Sequence, residues 1–105
     1  MELIVYWTSF AENKLEDIYK YYLLKANIKI AKELVNGIID TTIDLELNPN
    51  IGQNEDLLTT RPQGFKYLVY KNYKIIYWIN VNKMRIEVVN VFDTRQNPRK
   101  INMTD

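Results

Sequence analysis

The chain has no cysteine and no histidine among its 105 residues. Structural disulfides, thiolate catalysis and cysteine-based zinc sites are therefore excluded, and Ser-His or Cys-His nucleophilic chemistry cannot be assembled. Any metal site would have to be built from oxygen ligands, and nothing in the sequence calls for a metal or a cofactor. Glycine and proline number only three each, which excludes collagenous and low-complexity character. The first apolar run, Leu3-Ile4-Val5-Tyr6-Trp7, is too short for a signal peptide and lacks a basic n-region and a cleavage site. No stretch approaches the roughly 18 apolar residues of a membrane span. No membrane association is expected, and a reducing cytoplasm is the expected location.

What is present is the composition of a compact chain, 47% hydrophobic and 26% charged. Residues 1–105 are expected to form one domain, burying roughly 65% of the unfolded surface. The net charge of +1 conceals a polarity. Residues 1–60 carry five lysines against ten carboxylates, whereas residues 61–105 carry nine Lys/Arg against three. The C-terminal part is thereby suited to a polyanion or an acidic partner, although helices and sheet attracting each other across a fold produce the same asymmetry.

Residues 2–7 are rich in β-branched and aromatic side chains and read as a first strand buried on both faces. Ser9 with Glu12 has the spacing of a capping box, opening a helix over about residues 9–26 whose Ala11, Leu15, Ile18 and Tyr22 share one face. Asn27 breaks the pattern. A second helix over about 28–47 puts Ala31, Leu34, Ile38 and Leu45 on one stripe, widened by Val35, Ile39 and Ile43, so that this face needs cover on two sides. Gly37 within it implies a close approach by the first helix or the sheet, and Asn48-Pro49 ends it. The connection over 49–64 is long for a small domain and is expected to be a mobile loop, or to hold a short element near Asp56-Leu57-Leu58.

Three strands follow, over 65–70, 73–81 and 84–93, joined by tight turns. In the last, Ile86, Val88 and Phe92 are expected on one side, with Arg85, Glu87 and Asp93 on the other. The order β-α-α-β-β-β gives an α+β two-layer domain, with a helical hairpin on a mainly antiparallel four-stranded sheet whose other face is partly open and basic. Residues from about 94 to 105 read as a polar basic tail.

Few residues can carry chemistry. Alternation puts Lys74 and Trp78 on one face of their strand, opposite Tyr73. A cation beside an aromatic on the open face suits a phosphate or an acidic side chain; the plainer alternative is a solubilising lysine. Arg95 directly follows the last strand, and with Arg99 and Lys100 it forms a candidate polyanion clamp, or else a solvated tail. Tyr19, Tyr21 and Tyr22 read as core edges. Asp40 and Asp44, one helical turn apart, repel each other and do not suggest a metal site.

The element order, the strand Tyr73-Lys74-Ile75-Ile76-Tyr77 and the ending Val91-Phe92-Asp93-Thr94-Arg95-Gln96-Asn97-Pro98 together resemble the RelE/ParE superfamily of bacterial toxins, the plasmid-stabilisation proteins. The opening Ser9-Phe10-Ala11 and the segment Leu15-Glu16-Asp17-Ile18-Tyr19 fit as well. The resemblance implies a growth-arresting toxin, neutralised by a cognate antitoxin with which it can form a hetero-oligomer on promoter DNA. It also implies one of two targets, mRNA on the ribosome for RelE-like members or DNA gyrase for ParE-like ones. Lys74 stands where the family strand commonly has arginine, and Arg95 matches the arginine after the final strand.

Phosphodiester cleavage by a 2′-hydroxyl needs a proton acceptor, a donor to the leaving oxygen and cations at the phosphorane. In a RelE-like endoribonuclease these roles would fall to Lys66, Lys74 and Arg95. Nuclease members often place a histidine or tyrosine after the last strand, and this chain has neither beyond Phe92. That absence and the Thr94–Pro98 ending favour the ParE-like branch, with Lys74, Trp78, Arg95, Arg99 and Lys100 as the target-binding set. An inactive member that binds only its antitoxin is the third reading.

Overall fold

The computed structural model describes the backbone of residues 2–103 and side chains through Ile101. The first strand, β1 (Ile4–Trp7), hands the chain directly to a helix through Thr8, the single residue between them. Its amide still donates to Val88 O at 3.0 Å, while its Oγ1 accepts from Ala11 N at 3.2 Å and caps α1 (Ser9–Lys25). The cap is thus Thr8, one residue before the expected Ser9, since sheet pairing holds Thr8 extended as a cap requires. Asn27 caps α2 (Ile28–Ile43) through Oδ1, which accepts from Ile30 N at 2.9 Å.

Helix α2 stops four residues short of the expected end. Thr41 and Thr42 donate their hydroxyls to the carbonyls of Gly37 and Ile39, both at 2.7 Å, in competition with the amide ladder. A 3₁₀ turn at Asp44–Glu46 follows and still buries Leu45. The close approach expected at Gly37 is made by Tyr70 of the sheet, whose hydroxyl would collide with a Cβ added there.

The sheet has five strands rather than four, in the order β1-β5-β4-β3-β2. The additional strand, β2 (Gln53–Asn54), lies in the connection expected to be mobile and pairs antiparallel with β3 (Lys66–Tyr70). A 3₁₀ turn at Asp56–Leu58 completes that connection. It is pinned from beneath by Tyr77, whose hydroxyl donates to Pro49 O at 2.8 Å and accepts from Gly52 N at 2.9 Å. Strands β3, β4 (Tyr73–Asn80) and β5 (Arg85–Asp93) form the expected meander, with Lys71 at φ 53° in the first turn and Met84 at φ 56° ending the second.

β1 pairs with β5 in parallel, and its outer edge is blunted where Val5 N donates to Glu46 Oε2 at 3.0 Å. It is not buried on both faces: Ile4 is 66% exposed.

One core lies between helices and sheet, gathering Ala11, Leu34, Ile38, Leu45, Tyr73, Ile75, Tyr77, Ile86, Val88 and Val91. A second lies on the opposite face, where Leu58, Phe65, Ile76, Val89, Phe92 and Ile101 pack together with Tyr67 and Trp78 against it. The opposite face is therefore covered over much of its area instead of being open and basic. Its apolar side chains require cover, and two 3₁₀ segments supply it, one at Asp56–Leu58 and one at Pro98–Met103. The expected tail is accordingly folded at Pro98–Met103, with Ile101 fully buried; residues 104 and 105 lie outside the described residues.

Phe92 belongs to this second core, not to the side of Ile86 and Val88. Ile76 pairs with Asn90 and Tyr77 with Val88, so Val89 is an extra residue opposite a continuous β4. That bulge reverses the inward-outward phase of the strand beyond it. Asp93 consequently emerges on the helix side.

Candidate functional site

Beyond the bulge, the end of β5 meets α1 around an open cleft of about 380 Å³. Lys14, Asp17, Ile18, Tyr21 and Tyr22 line it from the helix, and Tyr73, Val91, Asp93, Arg95 and Gln96 from the sheet. Tyr73 and Asp93 are cross-strand partners. The chain leaving β5 is fixed by Thr94, whose amide and hydroxyl both donate to Asn72 O at 2.8 Å.

Arg95 is then turned back on Asp93. Its Nε donates to Asp93 Oδ1 at 3.0 Å and its Nη2 to Oδ2 at 2.8 Å, while its backbone amide donates to Oδ1 at 2.9 Å. Asn72 Nδ2 adds a fourth hydrogen bond to the carboxylate, to Oδ1 at 3.1 Å. The side-chain hydrogen bonds from Arg95 are the main reason the Asp93 carboxyl is lowered to about 2, against an opposing effect of burial. The guanidinium is held still more firmly in its charged form by the same carboxylate and by the Tyr22 hydroxyl. Burial and the neighbouring Tyr22 push the Tyr73 hydroxyl well above the usual phenol range, so it stays protonated and available as a donor. Although its side chain is 62% exposed, Arg95 is thus oriented at the surface before any partner arrives.

Arg95, directly after the last strand, is placed by the sheet and still reaches solvent. Asp93, Tyr73 and Tyr22 were not expected in the site. The spacing Asp93-Thr94-Arg95 was the available signal for the pair.

The other expected residues lie elsewhere. Lys74 and Trp78 share a face, but it is the second-core face, and Trp78 packs there. Lys74 Nζ is 2.9 Å from Glu55 Oε2 and 4.3 Å from the centre of the Tyr67 ring. It is engaged by its own protein rather than facing an open surface, and Glu55 is the residue that the reading of Lys74 as a free cation lacked. Lys66 pairs across the sheet with Tyr77, on the face opposite Lys74, and its Nζ donates to Asn54 Oδ1 at 3.0 Å.

Along β4, the level of Lys66 is about 13 Å from that of Tyr73, beside which Arg95 emerges. Lys66, Lys74 and Arg95 do not converge on one point. Arg99 and Lys100 are exposed on the 3₁₀ segment that inserts Ile101 into the second core. Asp40 and Asp44 are solvated, as expected. Among the described residues, no group of His, Cys, Asp or Glu could hold a metal ion, and no helix is long and apolar enough to cross a membrane.

Known proteins place this geometry. No curated protein matches the chain. Among solved structures, the chain resembles one from the chromosomal ParDE TA system of P. aeruginosa, with a TM-score of 0.71 over 87% of this chain and 95% of that one. The identity is 17%, so the likeness is one of fold. The sequence itself matches the model of the ParE toxin of the type II toxin-antitoxin system, parDE, over residues 5–98. That span begins in β1 and ends just past Arg95, taking in the helical hairpin, the sheet and the cleft, and the chain accordingly belongs to the ParE toxin family of type II toxin-antitoxin systems.

Proposed function

We propose that this toxin arrests growth by binding DNA gyrase through the surface around Arg95, and that it acts by recognition, without cleaving RNA. The observation that carries this reading is the dispersal of the three cations a nuclease site would need. Lys74 is tied to Glu55 on one face, Lys66 lies on the other, and Arg95 is paired with Asp93 at the end of β5. A phosphorane needs its cations and its proton-transfer groups within hydrogen-bond reach of one another. A docking surface needs only an oriented charge, and Arg95 supplies one beside Tyr21, Tyr22 and Lys14. Arg99 and Lys100 extend the basic surface on the following turn.

In this reading the protein acts in the cytoplasm and uses no cofactor. A cognate antitoxin neutralises it, and the two assemble as a hetero-oligomer on DNA. The test is pulse-labelling of DNA and protein synthesis in bacteria minutes after induction of this chain. DNA synthesis stops first while translation continues, and Arg95→Ala weakens the arrest without altering the fold. An early halt in translation, with mRNA cut on ribosomes, would overturn the proposal in favour of an endoribonuclease.

A further inference from the structure

Tyr22 borders two concavities. One is the Arg95 cleft; the other, of about 260 Å³, lies between the start of α2 and the β3–β4 turn. Ile30, Leu34 and Tyr70 give this second chamber an apolar lining, and Glu33 and Lys71 are its charged residues. Asn72 lines the second chamber and donates to Asp93 of the first at 3.1 Å, so the two stand side by side with Tyr22 as a common wall.

The first chamber suits a single negative charge. Of the five N–H donors of a guanidinium, Asp93 takes one on Nε and one on Nη2 of Arg95; the other three lie on Nη1 and Nη2, turned away from that carboxylate. Lys14 is the second cation of the lining, and Asp17 and Asp93 bring its formal charge to zero. A nucleic-acid strand matches this poorly. It carries a charge about every 3.4 Å along the axis, so a phosphate on Arg95 would bring its neighbours over Asp17 or Glu33, both exposed. A protein carboxylate comes singly. The second chamber suits an apolar side chain, with Leu34 buried at its base and Ile30 44% exposed. Residues i and i+2 of an extended segment project on one side about 7 Å apart, the separation of two groups each seated at about 3.5 Å on either side of one ring.

We infer that the two chambers receive an extended segment of the target protein in which an acidic residue and an apolar residue are separated by one position. The carboxylate enters beside Arg95 and Lys14, and the apolar side chain lies on Ile30 and Leu34. The target is gyrase on the reading proposed above, on which this inference rests, and the toxin grips the polypeptide of the enzyme rather than its DNA. Main-chain pairing is not required, because the two side chains fix the direction of the segment across Tyr22.

The test titrates purified gyrase, with and without a DNA duplex bound, with the full chain as wild type, as Arg95→Gln and as Ile30→Lys; the duplex alone is titrated in parallel. Both substitutions are at exposed positions, and circular dichroism verifies the fold. The wild-type chain binds gyrase equally well with and without DNA. Affinity falls about 30-fold for Arg95→Gln and about 10-fold for Ile30→Lys. Among overlapping peptides covering the gyrase sequence, those retained by the chain carry an acidic residue two places from an apolar one, and alanine at either position weakens them. Binding that requires DNA, or capture of the duplex alone with the same dependence on Arg95, would overturn the inference in favour of a phosphate in the cleft. Variants that bind gyrase like wild type would overturn the two chambers and leave gyrase as the target. Retention of peptides without that spacing, or of none, would overturn the pairing of the chambers. No binding of the wild-type chain to gyrase in either form would overturn the gyrase reading and the inference with it.

Discussion

Replacing Lys74 with alanine separates a structural lysine from a target-binding one. The substitution strands Glu55, whose side chain is 2% exposed and whose Oε1 accepts from the Leu57 amide at 3.2 Å. Removing one partner of a buried ion pair costs about 3–5 kcal/mol. The Lys74 side chain is 23% exposed, so water reaches the vacated position and brings the cost toward the lower end. Loss of the ammonium from above Tyr67 adds about 0.5–1 kcal/mol. A total near 4 kcal/mol is a large part of the roughly 5–15 kcal/mol holding a domain of this size together, and lowers Tm by about 15–30 °C.

Urea unfolding followed by circular dichroism measures the effect, with Lys74→Ala compared against Glu55→Gln and the apolar double variant Lys74→Met/Glu55→Leu. The double variant loses no more than about 1 kcal/mol, because replacing both charges removes the stranded carboxylate together with its partner. An unchanged midpoint for Lys74→Ala, or single losses that simply add in the double variant, would refute the reasoning. Toxicity measured below the new melting transition then reports on recognition alone.

Three further outcomes follow from the same geometry. Tyr77→Phe leaves Pro49 O and Gly52 N without their partner and costs about 1–3 kcal/mol, with faster hydrogen exchange at the Gly52 amide. Gly37→Ala drives a methyl group into the Tyr70 ring and destabilises by about 1–3 kcal/mol; pairing it with Tyr70→Leu recovers part of the loss. Asp93 titrates lower in the folded chain, at about 2, than its ordinary 3.8, so the unfolded chain takes up the proton first. Its contribution is complete above about pH 5 and is lost as pH falls through 4 toward 2. Asp93→Asn flattens that part of the pH-stability curve.

Both helices and the meander were legible because their apolar residues recur at the right periods, and the Lys71-Asn72 turn lies between two aromatic-rich runs. Arg95 was legible for the same reason, as the first cation past the end of a strand. The bulge was not, because Val88-Val89-Asn90-Val91-Phe92 is apolar on both faces and its sequence has no alternation from which a slip could be read. That slip decides which side Asp93 takes, so the partners of Arg95 went unseen with it. β2 is two polar residues long and has no apolar pattern at all. The engagement of Lys74 depends on Glu55, nineteen residues earlier in a connection without periodicity. Ile101 lies in a largely polar stretch without periodicity, and the second-core face it covers explains its burial. Tyr22 gives the same signal whether it edges a core or lines a cleft.

Strand β5 sits between β1 and β4, although some eighty residues separate it from β1. Until the ribosome has passed Asp93, β1 has nothing to pair with and the helical hairpin has no complete surface to lie on. Contacts that join residues some eighty positions apart close late. A chain cut short before β5 therefore lacks the strand that joins β1 to the rest of the sheet and, with Asp93 and Arg95, one wall of the cleft.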